Sequence, residues 1–131
     1  MIMKNRVVWL DRGWQPVSIG FCPSEKAWRR EMKRLGCKGE AYPSSDGRCT
    51  RFEASKSNSE CIIVTLRDGA ERDHSLVEVA GLLVHEATHV WQFIIESIGE
   101  GKPSAELEAY SMQAIVQALM QAFDETRGLP K

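Results

Sequence analysis

Apolar positions between residues 75 and 98 recur at helical spacing. Leu76, Val79, Leu83, Ala87, Val90, Trp91, Ile94 and Ile98 make one broad face, and Glu78, His85, His89, Gln92 and Glu96 make the opposite stripe. Ser75 followed by Glu78 predicts a capping box at the start, and Gly99, Gly101 and Pro103 predict the stop. A second helical pattern runs from about Ser104 to Thr126 and ends at Gly128. A shorter one, 23–36, lies between Pro23 with the potential cap Ser24 and Gly36; Ala27, Trp28, Met32 and Leu35 share a face, and Lys26, Arg29, Arg30, Lys33 and Arg34 fall elsewhere. Three segments rich in β-branched and aromatic residues read as strands: 16–22, 48–55 and 61–68, the last two joined by the polar link 56–60. Residues 38–47 are dense in turn formers. The order strand, helix, strand, strand, helix, helix predicts an α+β domain, a small antiparallel sheet covered by helices.

Composition narrows this picture. A chain of 131 residues, 43% hydrophobic and 27% charged, with no internal repeat, predicts one domain over 1–131. The N-terminal stretch has no apolar run long enough for a signal peptide, and no stretch approaches 18 uninterrupted apolar residues. Cys22, Cys37, Cys49 and Cys61 form no CxxC pair and read as reduced, mostly buried thiols. The expectation is a cytoplasmic protein, a monomer, with no membrane partner.

Charge is uneven along the chain. Residues 1–56 hold 12 Lys and Arg against 6 Asp and Glu, whereas residues 57–131 hold 5 against 12. The basic helix is expected to present a solvated face, with the acidic half as its available counterpart, so nucleic acid is not expected as a partner. The alternative is a zinc-stabilised, non-catalytic binding module, associated with nucleic acid through helix 24–35.

The candidate chemistry lies in the long helix. Residues 85–89 read His-Glu-Ala-Thr-His, and the chain has three histidines in all. Positions i and i+4 lie one above the other, so both imidazoles can hold one zinc ion. Glu86 is rotated by about 100° from His85, which lets its carboxylate reach a metal-bound water without ligating the metal. Leu82 and Phe93 flank the stripe. Catalytic zinc usually takes three protein ligands and keeps one position for water. Glu106 and Glu108 are the candidates for the third. Glu106 shares a face with Gln113, Gln117 and Asp124; Glu108 lies on the side of Met112, Ile115, Leu119 and Phe123, expected to turn inward. A carboxylate on a buried face needs a partner or a cation, which favours Glu108 over Glu106.

With His85, Glu86, His89 and, after 18 intervening residues, Glu108 in place, the chain resembles the gluzincin branch of the zincin metallopeptidases. In that branch HExxH on one helix is completed by a Glu on the next. Glu-Ala-Tyr-Ser at 108–111 is similar to the run around the third ligand of thermolysin-like enzymes; the ExxA pattern of other gluzincins selects Glu106 instead. The Asp that often stands four residues after the ligand is replaced by Met112. The chain also resembles short phage- or prophage-encoded proteins of unassigned role. The zincin resemblance covers about residues 75–123 and implies a minimal zincin-like domain: Zn²⁺ on His85, His89 and Glu108, Glu86 as general base, and a peptide or protein substrate. Zincins bind substrate along a sheet edge beside the active helix, which makes the strand at 61–68 the expected docking surface. Tyr110 and His74 are expected to pack or cap rather than to catalyse.

Overall fold

The computed structural model describes residues 4–131. Its elements run β1 (Val8–Trp9), β2 (Ser18–Cys22), α1 (Glu25–Arg34), β3 (Gly47–Phe52), β4 (Cys61–Leu66), α2 (Ala70–Asp73), α3 (Leu76–Ile98) and α4 (Ala105–Thr126). The fold is α+β, as the pattern predicts, but the sheet is mixed rather than antiparallel. Its order is β1-β2-β4-β3, with β2 and β4 parallel and the two outer pairs antiparallel. Parallel neighbours need a crossover, and α1 supplies it. The chain leaves β2 through α1, enters the far edge as β3, and turns back along the centre as β4.

Residue alternation explains why β4 takes the centre. Ile62, Val64 and Leu66 face one side of the sheet and Cys61, Ile63 and Thr65 the other, and all six are buried. Such a strand needs cover on both faces. On one face Ile19, Phe21, Ile62, Val64 and Leu66 pack with α3 and α4 in the main core. On the other, Cys22, Cys61 and Ile63 pack with Ala27, Trp28 and Met32 of α1. The molecule thus has three layers: α1, sheet, and the α3–α4 pair. β3, which carries Arg48 and Arg51, is left as an edge with one side unpaired.

Helix ends match their caps. Ser24, Ser75 and Ser104 each accept a backbone N–H two or three residues inside the helix they begin. Gly99 ends α3 in the left-handed conformation at φ 70°, which only glycine adopts without strain. Among the described residues, no helix is long and apolar enough to cross a membrane.

Candidate metal centre

The capping box of α3 anchors the first turn of the helix: Ser75 Oγ accepts from the Glu78 N–H at 3.2 Å, and Glu78 Oε1 accepts from the Ser75 N–H at 2.8 Å. Further along the same helix, His85 and His89 stand side by side with ring centroids 4.9 Å apart and Nε2 atoms 3.2 Å apart. His89 Nδ1 lies 2.9 Å from Gln92 Oε1. An amide oxygen only accepts, so Nδ1 carries the proton and His89 Nε2 presents a lone pair. Two nitrogens on one tetrahedral zinc, each at about 2.0–2.1 Å, lie about 3.3–3.4 Å apart. The imidazole pair therefore fits a shared cation, although a His85 Nε2–H donated to His89 spans the same distance.

Glu86 borders the same groove as His85 and reaches toward the start of β3. It is 3% exposed, and among the described residues its carboxylate has no hydrogen-bonding partner. Burial raises its pKa above the ordinary carboxylate value, opposed in part by the neighbouring His85 and His89. Gly47, at the start of β3, makes the space: a Cβ there would lie 2.7 Å from Glu86 Oε2 and 3.0 Å from Leu66 Cδ2. Between α3 and the turn at Ser45–Gly47 runs an open groove bounded by His74, Glu78, Leu82, His85 and Glu86. Beside it Cys49 has its thiol pKa pushed up to about 12 by burial and then by the charge of Glu86, so it stays protonated at neutral pH.

The third ligand is not brought to the pair. Glu108 is exposed, not buried, and its Oε2 accepts the Trp91 indole N–H at 2.9 Å. Glu106 is exposed as well. Among the described residues, no three His, Cys, Asp or Glu side chains stand where they could hold a metal ion together. The expected set His85, His89 and Glu108 is therefore not assembled. Helical phase does aim Glu108 at α3, but in the first turn of α4. There the core is thin and the helix dipole favours a carboxylate without help from metal. The expected docking strand also changes: Cys61–Leu66 is central, and the free edge beside Glu86 is β3.

His74 lies outside the pair, with Nδ1 3.9 Å from Glu78 Oε2 and Nε2 buried without a partner among the described residues. Tyr110 is largely exposed. Two residues that serve the site escape sequence reasoning. Gln92 could have been found from its place three residues after His89 on the polar stripe. Gly47 could not, because its role depends on how β3 meets α3. All four cysteines are free, with Cys22 and Cys61 buried and Cys37 exposed.

No protein-family model matches the chain. No curated protein and no solved structure matches it either.

Proposed function

We propose that this chain is a zinc-dependent hydrolase of peptide or similar amide bonds. The observation that carries the reading is the convergence of His85 Nε2 and His89 Nε2 at 3.2 Å, with Gln92 holding the far side of one ring. His85 and His89 would hold the ion; Glu108, with Glu106 the alternative, is the proposed third ligand and would have to leave the Trp91 N–H to reach the pair. Bound zinc supplies an acidified water and a Lewis acid for the substrate carbonyl. Glu86 adjoins the first histidine in sequence, and its carboxylate is not engaged by any other described residue. It is free to take a proton from a nucleophile above the groove and return it to the leaving amine. The unpaired edge of β3 begins at Gly47, against Glu86, and offers backbone groups to an extended peptide. The shallow groove favours a flexible chain as substrate.

Elemental analysis of purified protein tests the reading, together with cleavage of a peptide library. The expected result is about one zinc per chain, lost in His85→Ala and His89→Ala. Glu86→Gln retains zinc and loses cleavage by at least about a hundredfold, the usual order for a general base. Loss of zinc in Glu108→Ala but not Glu106→Ala fixes the third ligand. Wild type that takes up no metal, or a Glu86→Gln variant that cleaves as well as wild type, overturns the proposal.

A further inference from the structure

The basic helix loses its expected counterpart once the layers are known. α1 packs on one face of the sheet and α3 with α4 on the other, so the acidic residues of α3 and α4 lie across the sheet from the cations. Among the described residues, no ion pair joins α1 to α3 or α4. Ala27, Trp28, Glu31 and Met32 form the buried side of α1, which turns Lys26, Arg29, Arg30 and Lys33 outward, all exposed. Lys26, Arg30 and Lys33 make no ion pair among the described residues. Arg29 pairs only with Glu25 at 3.1 Å, with both side chains more than half exposed, a contact worth little in water. A carboxylate-poor cationic face therefore stands alone on its layer.

A second observation lies beside it. Trp9 on β1 is 39% exposed. Its ring packs against Gly20 of β2, where a Cβ would come within 2.9 Å of the indole. Arg34, the last residue of α1, holds its guanidinium over the Trp9 ring, 5.8 Å from its centroid, pairs with Glu31 and donates to Asn58 Oδ1 at 2.9 Å. Trp9, Arg34, Ser18, Ser57, Asn58 and Ser59 line one polar recess there. A part-exposed indole overlaid by a guanidinium, with amide and hydroxyl groups beside it, suits a flat heterocycle that stacks on this Trp9–Arg34 platform and has hydrogen-bonding edges. A row of cations leading away from it suits a phosphodiester backbone.

We propose that α1 and the Trp9 recess form a binding surface for single-stranded nucleic acid, with the backbone along Lys26, Arg29, Arg30 and Lys33 and one base stacked on the Trp9–Arg34 platform. The surface is separate from the histidine pair and does not depend on its assignment. Neutralising about four phosphates of a single strand gives a salt slope near −3, so affinity falls about fiftyfold between 50 and 200 mM salt.

Fluorescence anisotropy of a labelled 20-nucleotide single strand against the full chain tests this. Four further arms compare a duplex of the same length, inorganic phosphate, vesicles rich in anionic lipid, and the oligonucleotide with K26E/R30E/K33E. The expected results are saturable single-strand binding with the salt slope above and loss of at least about a hundredfold in the triple variant. Trp9→Ala weakens binding by about tenfold and Trp9→Phe restores much of it, the order a single stacked base contributes. The substituted cations are all exposed, so an unchanged unfolding curve checks that the triple variant folds. No binding at 50 mM salt overturns the proposal, as does equal binding by the triple variant. Duplex bound as tightly, with no effect of Trp9→Ala, overturns the single-strand assignment, and binding to vesicles alone replaces it with a membrane surface.

Discussion

Gly47 is where backbone geometry and the charged chemistry of the site meet. Its missing side chain lets the Glu86 carboxylate approach the start of β3 at a distance no Cβ allows, and a fully buried leucine at one a Cβ would tolerate only if the leucine gave way slightly. Gly47→Ala should therefore destabilise the fold by about 1–3 kcal/mol, the range for overpacking a filled core. Urea unfolding of Gly47→Ala, Glu86→Ala and the double variant measures how much of this is the clash with Glu86. The double variant should recover part of the loss, as coupled neighbours do, and strict additivity would show that Leu66 carries the crowding instead. At this scale much of the site was legible: an i, i+4 spacing is enough to bring two imidazoles together. Glu108 was not, because a helical wheel gives the direction of a side chain but not the depth of the core beneath it. Its carboxylate meets the Trp91 N–H near the end of the helix pair and remains in solvent.

Among the elements, α3 is specified at both ends by its own residues. The Ser75–Glu78 box satisfies two free N–H groups, and Gly99 closes the other end. Ser75→Ala should cost about 1 kcal/mol, seen as a lower melting temperature with faster amide exchange confined to the first turn. The Nε2 separation of the histidine pair, some three turns along, should persist, so any metal uptake should be unchanged. A Ser75→Ala protein as stable as wild type would mean that packing of Val79 and Leu83 alone fixes this end. Such local signals made the three long helices readable within a residue or two. The sheet order was not readable, since β2 and β4 become neighbours through contacts between residues more than forty positions apart. The two-residue β1 gives too short a pattern to distinguish from a loop, and the four-residue α2 likewise.

Across the whole molecule, one side chain ties the last helix to the sheet. Arg127, 3% exposed, donates to the carbonyl of Leu66 at 2.9 Å, to that of Arg67 at 2.6 Å and to Glu71 Oε1 at 2.6 Å, and its guanidinium lies 4.8 Å from the Phe123 ring centroid. It joins the end of α4, the end of β4 and α2 at one point. Burial pushes the Glu71 carboxyl upward, but the hydrogen bond and charge of Arg127 outweigh it, and the net pKa lies below the ordinary 4.5. The unfolded chain therefore binds this proton at a higher pH than the folded one. The pair's contribution is complete above about pH 4.5 and is lost as pH falls through the lower folded value. Arg127→Met removes the partner, leaves Glu71 desolvated and strands the Arg67 carbonyl, while that of Leu66 keeps the Tyr42 hydroxyl, a loss of about 3–5 kcal/mol near neutrality. Without Arg127 the upward effect of burial is opposed only by the Glu71 backbone hydrogen bond and the charge of Arg72, so protonation costs the variant less than it costs wild type. Urea unfolding at pH 7 and pH 3 should thus show the gap between the two proteins shrinking at the lower pH. A gap of the same size at both would mean that the two backbone carbonyls, and not the carboxylate, account for what Arg127 holds together.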